Sequence, residues 1–329
     1  MKTIGYLLSK VFAASFLLTA AMPVNAQDPH LSQYDASPVI MNPSHTGMLD
    51  RDDMRAVTQY RNQWNSLASR LTSTSIAFDA AVDKQYGAGI YLVDDDAAKA
   101  FSTLSVVFVG AYRITSPIQR RYRLSVGLNV GFIYKQTKDN KLVFDNQYYA
   151  GVFNPDLPSG ENFPKLRLWM PETGFGFSYV NTNDGKLFNP YSGISVFHVT
   201  NPKESFYGNR NNRLPMRFMV NGGTKINPAT KVIIDPNMLL MKQKNNYEVL
   251  AGVRGGYILT EKIAAVAGIY YRWRDAVIAM VGFNYNNYVF RVSYDFTVSN
   301  LKKYNGGWGG LEFSLLFQGS AKTSMISKF

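Results

Sequence analysis

The chain has 329 residues, a formal net charge of +12 and no cysteine. The lack of cysteine excludes disulfides, thiolate catalysis, thiolate metal sites and a lipid carried on an N-terminal cysteine. The basic residues are scattered singly and form no run of five like charges, which argues against a nucleic-acid-binding tract. Aromatic residues are abundant (21 Tyr, 21 Phe and 4 Trp). This is typical of membrane proteins, in which aromatic rings lie at the interface between lipid and water.

The first 26 residues predict a cleaved secretory signal. Lys2 and Lys10 form the charged leading region, residues 11–21 form an apolar core, and residues 24–26 read small-x-small. The apolar core is well short of the roughly 20 residues that a membrane-spanning helix needs. We therefore expect cleavage after residue 26 and a mature chain that begins at Gln27.

The start of the mature chain, residues 27–51, is polar and lacks a strand pattern. Its prolines break regular structure, and the pair Asn42-Pro43 favours a turn. Two interpretations are open: an arm that lies in the periplasm or plugs a barrel, or a disordered leader.

Residues 52–317 predict strands, because apolar and polar residues alternate and no apolar run approaches 18 residues. In residues 122–134 Tyr, Leu, Val and Phe share one face, while Arg, Ser, Gly and Asn lie mostly on the other. The same alternation recurs at 247–259, 288–296 and 311–317. Weaker predicted strands occupy 54–60, 70–80, 86–93, 101–112, 174–180, 191–199, 217–226, 231–240, 263–271 and 277–283.

Turn signals separate these segments, which number about 14 (range 12–16). The pattern predicts an all-β fold, a transmembrane antiparallel up-and-down β-barrel with an apolar outer face and a polar lumen. Closure leaves no unpaired edge in lipid, whereas a soluble sandwich would need linkers that the sequence does not show. Residues 318–329 are predicted to be a short tail after the last strand.

The sequence offers no convincing catalytic or metal site. Its histidines are His30, His45 and His198, and none has the partners that a catalytic base requires. Residues 94–96 are three consecutive aspartates, which we interpret as a solvated loop in preference to a calcium site. Glycine pairs at 87/89 and 174/176 lack a following helix, so they predict bends in the barrel and not a nucleotide site. We expect no enzyme activity, no cofactor and no metal.

Several short motifs stand apart from the strand pattern. The N-terminal segment carries a first group, namely Gln27, Asp28, Pro29, His30, Ser32, Gln33, Tyr34, Asn42, Pro43 and Gly47. A Tyr-Arg-x-Gln-Trp motif and two late motifs follow, namely Tyr60, Arg61, Gln63, Trp64, Ser293, Tyr294, Asp295, Gly310 and Glu312. In these motifs the chain resembles the PorP/SprF family of type IX secretion system membrane proteins in Bacteroidetes. Leu31 replaces the family's usual aromatic residue. In the last motif, Gly310 and Glu312 are separated by one residue fewer than in the family pattern.

The resemblance implies a protein of the outer membrane that acts through protein partners. Members of the family receive, deliver or anchor secreted proteins, including gliding adhesins, that carry a C-terminal sorting domain. The implied partners are outer-membrane lipid, a type IX cargo adhesin, and components of the translocon or its periplasmic ring. The motif residues above are the candidate partner-binding residues, and no nucleic acid is implied.

Three alternatives remain open at the level of sequence. The chain resembles both cargo-specific members and the core component that contacts the periplasmic ring. A passive solute channel is the main rival from another class, and a barrel hydrolase that uses His198 is a distant third. The irregular segments 146–171 and 201–214, rich in Asn, Pro, Tyr and Arg, are the candidate cargo-binding loops.

Overall fold

The computed structural model describes residues 28, 31–49, 53–63, 70–98, 100–116, 118, 121–137, 142–149, 151–161, 164–183, 186–207 and 212–319. The predicted signal (1–26) and all of the predicted tail except residues 318 and 319 lie outside this range. The motif residues Gln27, Pro29, His30 and Trp64 lie outside it as well. In the described part of the chain, no helix is long and apolar enough to cross a membrane.

Fourteen long strands form the main sheet of the described residues. Their bounds are β1 (Met54–Gln63), β2 (Leu71–Ala81), β3 (Tyr86–Ala97), β4 (Phe101–Arg113), β5 (Tyr122–Thr137), β8 (Arg167–Asn181), β9 (Phe188–Phe197), β10 (Arg217–Ala229), β11 (Val232–Gln243), β12 (Asn246–Ile258), β13 (Ile263–Arg272), β14 (Ala276–Tyr285), β15 (Tyr288–Thr297) and β16 (Trp308–Gly319). Strands β6 (Tyr148–Tyr149) and β7 (Val152–Phe153) form a small separate hairpin. Short helical turns occupy Pro38–Met41, Pro43–His45, Asp145–Gln147 and Lys302–Asn305.

The long strands close into a barrel. Each pairs antiparallel with the strands before and after it, and β1 pairs with both β2 and β16. Closure satisfies the backbone hydrogen bonds of every strand, which is the condition for crossing lipid without a helix.

The two ends of the barrel differ in their connections. The longest connections, residues 138–166 and 198–216, join strands at the same end of the barrel, which we call the long-loop end. At the opposite end, the short-turn end, the longest connection is 114–121, and two-residue turns occur at 230–231 and 286–287. Strand β1 begins and β16 ends at the short-turn end.

The outer face of the barrel is apolar and bounded by aromatic residues. Mid-strand side chains such as Leu128 and Val281 are 69% and 63% exposed to the surroundings. Aromatic pairs lie towards both ends, namely Tyr86–Tyr112, Tyr122–Tyr179 and Tyr288–Phe317 at the short-turn end, and Phe132–Trp169, Tyr271–Trp273 and Tyr294–Trp308 at the long-loop end. An apolar band between two aromatic girdles is the surface that a lipid bilayer selects.

The structure confirms the predicted barrel, its strand number and its polar-in, apolar-out alternation, and corrects three local predictions. Residues 94–96 are not a loop but the continuation of β3, because they pair with β4. The loop predicted to reach Pro171 ends earlier, since β8 starts at Arg167 and Pro171 pairs with Phe132. The last strand reaches Gly319 and not 317, because Gln318 and Gly319 pair with the start of β1.

Candidate functional site

The described part of the N-terminal arm, residues 28 and 31–49, lies inside the barrel. Asp28 contacts strand ends at the long-loop end, and Gly47 contacts Gly87 near the short-turn end. Most arm residues are buried, including polar ones such as Ser44 at 0% exposure. Of the two interpretations of this segment, the lumen-plugging arm agrees with the structure.

Apolar side chains of the arm pack against the barrel wall on two sides. Ala36 and Val39 join a buried cluster with Val57, Ala77, Tyr91, Val107, Val109 and Leu316. Met41 joins a second cluster that contains Phe197, Met219, Leu239 and Leu250. Fully burying a side chain of this size contributes about 1.5–3 kcal/mol, so the helical turn Pro38–Met41 holds the arm against both walls.

A cluster of buried charged and polar groups, the charged anchor, holds residues Ser32 and Gln33. The backbone N–H groups of Ser32 and Gln33 donate to the Glu312 carboxylate at 2.7 and 2.9 Å. The Ser32 hydroxyl donates to Asp295 at 2.8 Å. Gln33 donates its amide N–H to the Ser293 hydroxyl at 3.0 Å and accepts at its amide oxygen from Ser314 at 2.6 Å. The arm therefore replaces water as the partner of these buried wall groups.

Two arginines neutralise the carboxylates of the charged anchor. Arg61 lies 2.8 Å from Asp295 and 3.9 Å from Glu312. Arg272 lies 3.1 Å from Asp295 and 3.5 Å from Glu248. Buried ion pairs of this kind are costly to break, because removal of one partner leaves an uncompensated charge.

Asp28 lies in a second polar cluster at the long-loop end. Its carboxylate accepts from His198 Nε2 at 2.6 Å, from Gln243 at 3.1 Å and from Arg217 at 3.2 Å. His198 Nδ1 lies 2.5 Å from Glu172. Burial alone would raise the pKa of Asp28, but the His198 hydrogen bond and the Arg217 charge hold that pKa below its usual range. Burial alone would lower the pKa of His198, but its two carboxylate partners raise it.

The lower part of the arm, residues 42–47, occupies a close-fitting region that we call the glycine-lined anchor. Asn42 donates to the backbone carbonyls of Phe177 and Ile194, both at 3.1 Å, and begins the helical turn Pro43–His45. A Cβ atom added to Gly176 would lie 2.0 Å from the Asn42 side-chain oxygen. The wall glycines here make room for the arm, a role that their sequence pattern, taken to indicate barrel bends, did not reveal.

Gly47 ends this anchor in a conformation that favours glycine. Its φ angle is +64°, and a Cβ atom would lie 2.4 Å from the Ala80 carbonyl oxygen. Its N–H donates to Asp79 at 2.7 Å, and Asp79 also pairs with Arg55 at 2.8 Å. Burial, followed by the charges of Arg123 and Arg55, lowers the pKa of nearby His45 to about 3.

The structure brings most described motif residues together. Ser32, Gln33, Arg61, Ser293, Asp295 and Glu312 meet in the charged anchor, and Gln63 and Gly310 lie beside Arg61. Tyr34 bonds to Asn237 in the lumen. Tyr60 and Tyr294 are exceptions, since Tyr60 is 41% exposed and Tyr294 packs against Trp308 in the outer aromatic girdle. Whether any of these residues binds a separate protein stays a prediction.

Several residues of the site carried no motif. They are Gln59, Arg272 and Ser314 in the charged anchor, Glu172, Arg217 and Gln243 around Asp28, and Ser125, Gly127 and Gly176 around the glycine-lined anchor. For the residues inside predicted strands, the available signal was a polar residue or glycine at an inward position of the alternation. Glu172, Gln243 and Arg272 lie just outside the predicted strands, where no such signal existed. That signal says which residues face the lumen but not which of them share a partner.

The histidine and serine that face the arm in this region are held by other groups. Both ring nitrogens of His198 face carboxylates, and the hydroxyl of Ser195 donates to the Met41 carbonyl at 2.8 Å. No group of three histidine or acidic side chains in the described chain is placed to hold a metal ion. Two cavities beside the arm measure about 90 and 70 Å³, below the roughly 300–1,000 Å³ of usual ligand pockets.

The fold and the filled lumen define an outer-membrane β-barrel that contains its own N-terminal arm. Solved barrels share the architecture: the CymD monoaromatic hydrocarbon channel (10% identity, TM-score 0.50, 87% of this chain and 93% of that one) and the Pseudomonas putida toluene transporter TodX (7%, 0.50, 84% and 91%). At these identities the likeness concerns the fold alone. No curated protein sequence matches the chain.

The family model of the type IX secretion system membrane protein PorP/SprF matches residues 24–314. The chain therefore belongs to this family, as its motifs predicted. It is a secretion-system protein of the outer membrane, and lipid contacts its outer face.

Proposed function

We propose that this barrel binds a secreted type IX cargo protein at its long-loop end, through the cargo's C-terminal sorting domain, and delivers or anchors that cargo at the cell surface. The observation that carries the proposal is the filled lumen. An arm that contacts the wall from one end to the other leaves the mouth and its loops as the surface for a large partner.

The same observation weighs against the solute-channel alternative. A channel for hydrophilic solutes needs a continuous wet path, whereas the arm is bonded to both sides of the lumen. Flow past the arm would require breaking contacts such as Gln33 with Glu312 or Asn42 with Ile194. These contacts include buried charge-assisted hydrogen bonds, the strongest class in proteins.

The lengths of the connections indicate how the barrel is oriented in the membrane. Outer-membrane barrels have short periplasmic turns and longer extracellular loops. By this rule the long-loop end faces the outside of the cell, where a secreted protein is displayed.

The long-loop end also carries exposed apolar side chains outside the lipid girdle. In the hairpin of β6 and β7, Tyr149 and Val152 are 78% and 69% exposed. In the connection 198–216, Tyr207 is 54% exposed and bonds to Glu161 of the connection 138–166 at 3.0 Å. Exposed aromatic residues joined across loops are typical of protein interfaces.

The first test is purification of the tagged barrel from gently solubilised outer membranes, with identification of the co-purifying proteins. Near-stoichiometric recovery of one large secreted adhesin supports the proposal. Recovery of periplasmic ring components instead favours the core-component role, and recovery of neither favours a solute channel.

A variant locates the binding face. Tyr149→Ser combined with Val152→Ser should abolish adhesin recovery while the barrel remains folded and inserted. Ile118→Ser is the matched control, since Ile118 is 89% exposed and belongs to the short-turn end. Equal recovery from the hairpin variant and the control would contradict the proposed location.

A further inference from the structure

Basic side chains line one arc of the barrel rim at the long-loop end. The arc runs over the six neighbouring strands β11 to β16, whose connections at this end are residues 244–245, 273–275 and 298–307. These connections and the adjoining end of β11 carry five exposed basic residues, which we call the basic rim, namely Lys242, Lys244, Arg274, Lys302 and Lys303.

Neighbouring acids do not neutralise the basic rim. Within the described residues, no ion pair joins any of its five side chains to a carboxylate. The one acid in the three connections, Asp275, pairs with Arg272 at 3.0 Å. At the short-turn end of the same strands, the connections carry two lysines and a glutamate, namely Lys231, Lys262 and Glu261. Positive charge is therefore concentrated at the long-loop end of this arc.

Lys242 places one of these charges on the outer wall of the barrel. It pairs across strands with Phe218 of β10 and Tyr247 of β12, and both aromatic side chains are exposed on the outer face. Directly paired residues of neighbouring strands project to the same face of a sheet, so Lys242 lies within the outer aromatic girdle. A lysine at this level lays its stem along apolar surface and extends its charge to the lipid headgroups.

Two other residues of the basic rim lie in turns whose backbone does not favour them. The φ angles of Lys244 and Arg274 are +53° and +60°, in the left-handed region that glycine and asparagine adopt most readily. At the short-turn end of the same arc, an asparagine, Asn286, occupies such a position with a φ of +51°. The turns of the basic rim thus carry cations where the backbone alone favours an uncharged residue.

Exposed aromatic rings accompany the basic rim. Trp273 precedes Arg274, Tyr304 follows Lys303, and Trp308 begins β16. All three rings are more than half exposed. Cations beside an aromatic girdle match a molecule that has an anionic group at the level of the rim and apolar chains along the wall.

We propose that the basic rim binds the phosphate groups of membrane lipids in the leaflet at the long-loop end, and so forms a lipid-binding site on one side of the barrel. A free phosphate ion matches the charge alone. A phosphate-bearing lipid also matches the apolar wall below the rim, where Ile269 and Val281 are exposed. The site is separate from the loops proposed to bind cargo, and the proposal does not rest on that function.

The test measures lipid binding to the purified barrel in micelles of an uncharged detergent. Lipid A, an acylated and phosphorylated sugar, is titrated in, and bound lipid is counted by native mass spectrometry. The rim variant combines Lys242→Gln, Arg274→Gln, Lys302→Gln and Lys303→Gln. A matched control removes the same charge from four exposed lysines of the short-turn end, by Lys84→Gln, Lys186→Gln, Lys231→Gln and Lys262→Gln.

The rim variant is expected to bind lipid A at least about tenfold more weakly, because each Lys or Arg near an anionic lipid surface contributes to binding. The control variant should bind as the unaltered protein does. Equal loss in both variants would show unspecific attraction to a basic protein and would overturn the proposal. Unchanged binding by the rim variant would overturn it as well.

Further arms of the titration identify what is recognised. Dephosphorylated lipid A should bind equally to the unaltered protein and the rim variant, and inorganic phosphate should not displace lipid A. Displacement by inorganic phosphate at equal concentration would overturn a lipid as the occupant. The variant Lys242→Arg, Arg274→Lys, Lys302→Arg and Lys303→Arg keeps every charge and should retain binding, and loss there would overturn recognition by charge. No cargo protein is needed, so failure of the proposed function leaves this result readable.

Discussion

The charged anchor and the glycine-lined anchor hold the same arm by different physical means. At the charged anchor, two carboxylates and two arginines surround Ser32 and Gln33, and the binding energy is electrostatic. At the glycine-lined anchor, bare backbone approaches bare backbone, and the fit depends on the absence of side chains. A lumen can therefore recognise one segment by charge near one mouth and by shape near the other.

Breaking the charged anchor should have the largest effect. Asp295→Ala leaves Arg61 and Arg272 without their shared carboxylate, and loss of one partner of a buried ion pair costs about 3–5 kcal/mol. The free energy of unfolding, from urea titration of the barrel in detergent micelles, checks this value. Asp156→Ala, in an exposed loop, should change it by no more than about 0.5 kcal/mol. Equal effects of the two variants would contradict an energetic role for the network.

Filling the glycine-lined anchor should have the second largest effect. Gly176→Ala places a methyl group against Asn42, and overpacking of this kind costs about 1–3 kcal/mol. Ser37→Cys serves as the reporter, because Ser37 is buried and its hydroxyl has no hydrogen-bond partner among the described residues. The reporter cysteine should react faster with a maleimide in the Gly176→Ala background. In the Gly110→Ala control, where the nearest atom is 4.0 Å away, the rate should stay the same.

The two halves of the arm should respond to pH in opposite directions. The pKa of His45 falls from 6.5 to about 3 in the folded state. Its contribution to stability is therefore full above pH 6.5 and is lost as the pH falls below that value. The pKa of His198 rises above 6.5, so its contribution is full below 6.5 and is lost as the pH rises through the raised pKa. For each group, the free energy of unfolding changes by at most about 1.4 kcal/mol per pH unit.

Hydrogen exchange of the arm between pH 5 and 9, corrected for intrinsic rates, measures this difference. Residues 42–47 should lose protection on acidification, and residues around Asp28 should lose it at alkaline pH. His45→Gln and His198→Gln should each remove one of the two dependences. Parallel loss of protection along the whole arm would contradict separate anchors.

The smallest effect is expected outside the lumen. Tyr60 is next to Arg61 in the same motif but faces the outer aromatic girdle, and Tyr60→Phe keeps the ring. The expected change in unfolding free energy is within about 0.5 kcal/mol, by the same urea titration. A loss as large as that of Asp295→Ala would show that the motif acts as one unit and not through its inward residues.

The sequence alone predicted the barrel because strand alternation is a local property. Each segment such as 122–134 carries its own inward and outward residues, and a bilayer accepts only a closed sheet from such strands. The errors fell at the ends of three strands, at 94–96, 167–171 and 318–319, where charged residues, a proline or a change in pattern did not mark the end of the strand.

The arm was recognised as a distinct segment by its prolines and its motifs, but its partners were decided by the tertiary structure. Ser32 and Glu312 are 280 positions apart in the chain, and Asn42 meets Gly176 only because the barrel closes around both. Alternation predicts that Glu312 and Ser314 face inward, but it does not predict which inward residues meet across the lumen. That pairing depends on strand register and barrel closure, which are properties of the whole chain and not of any segment.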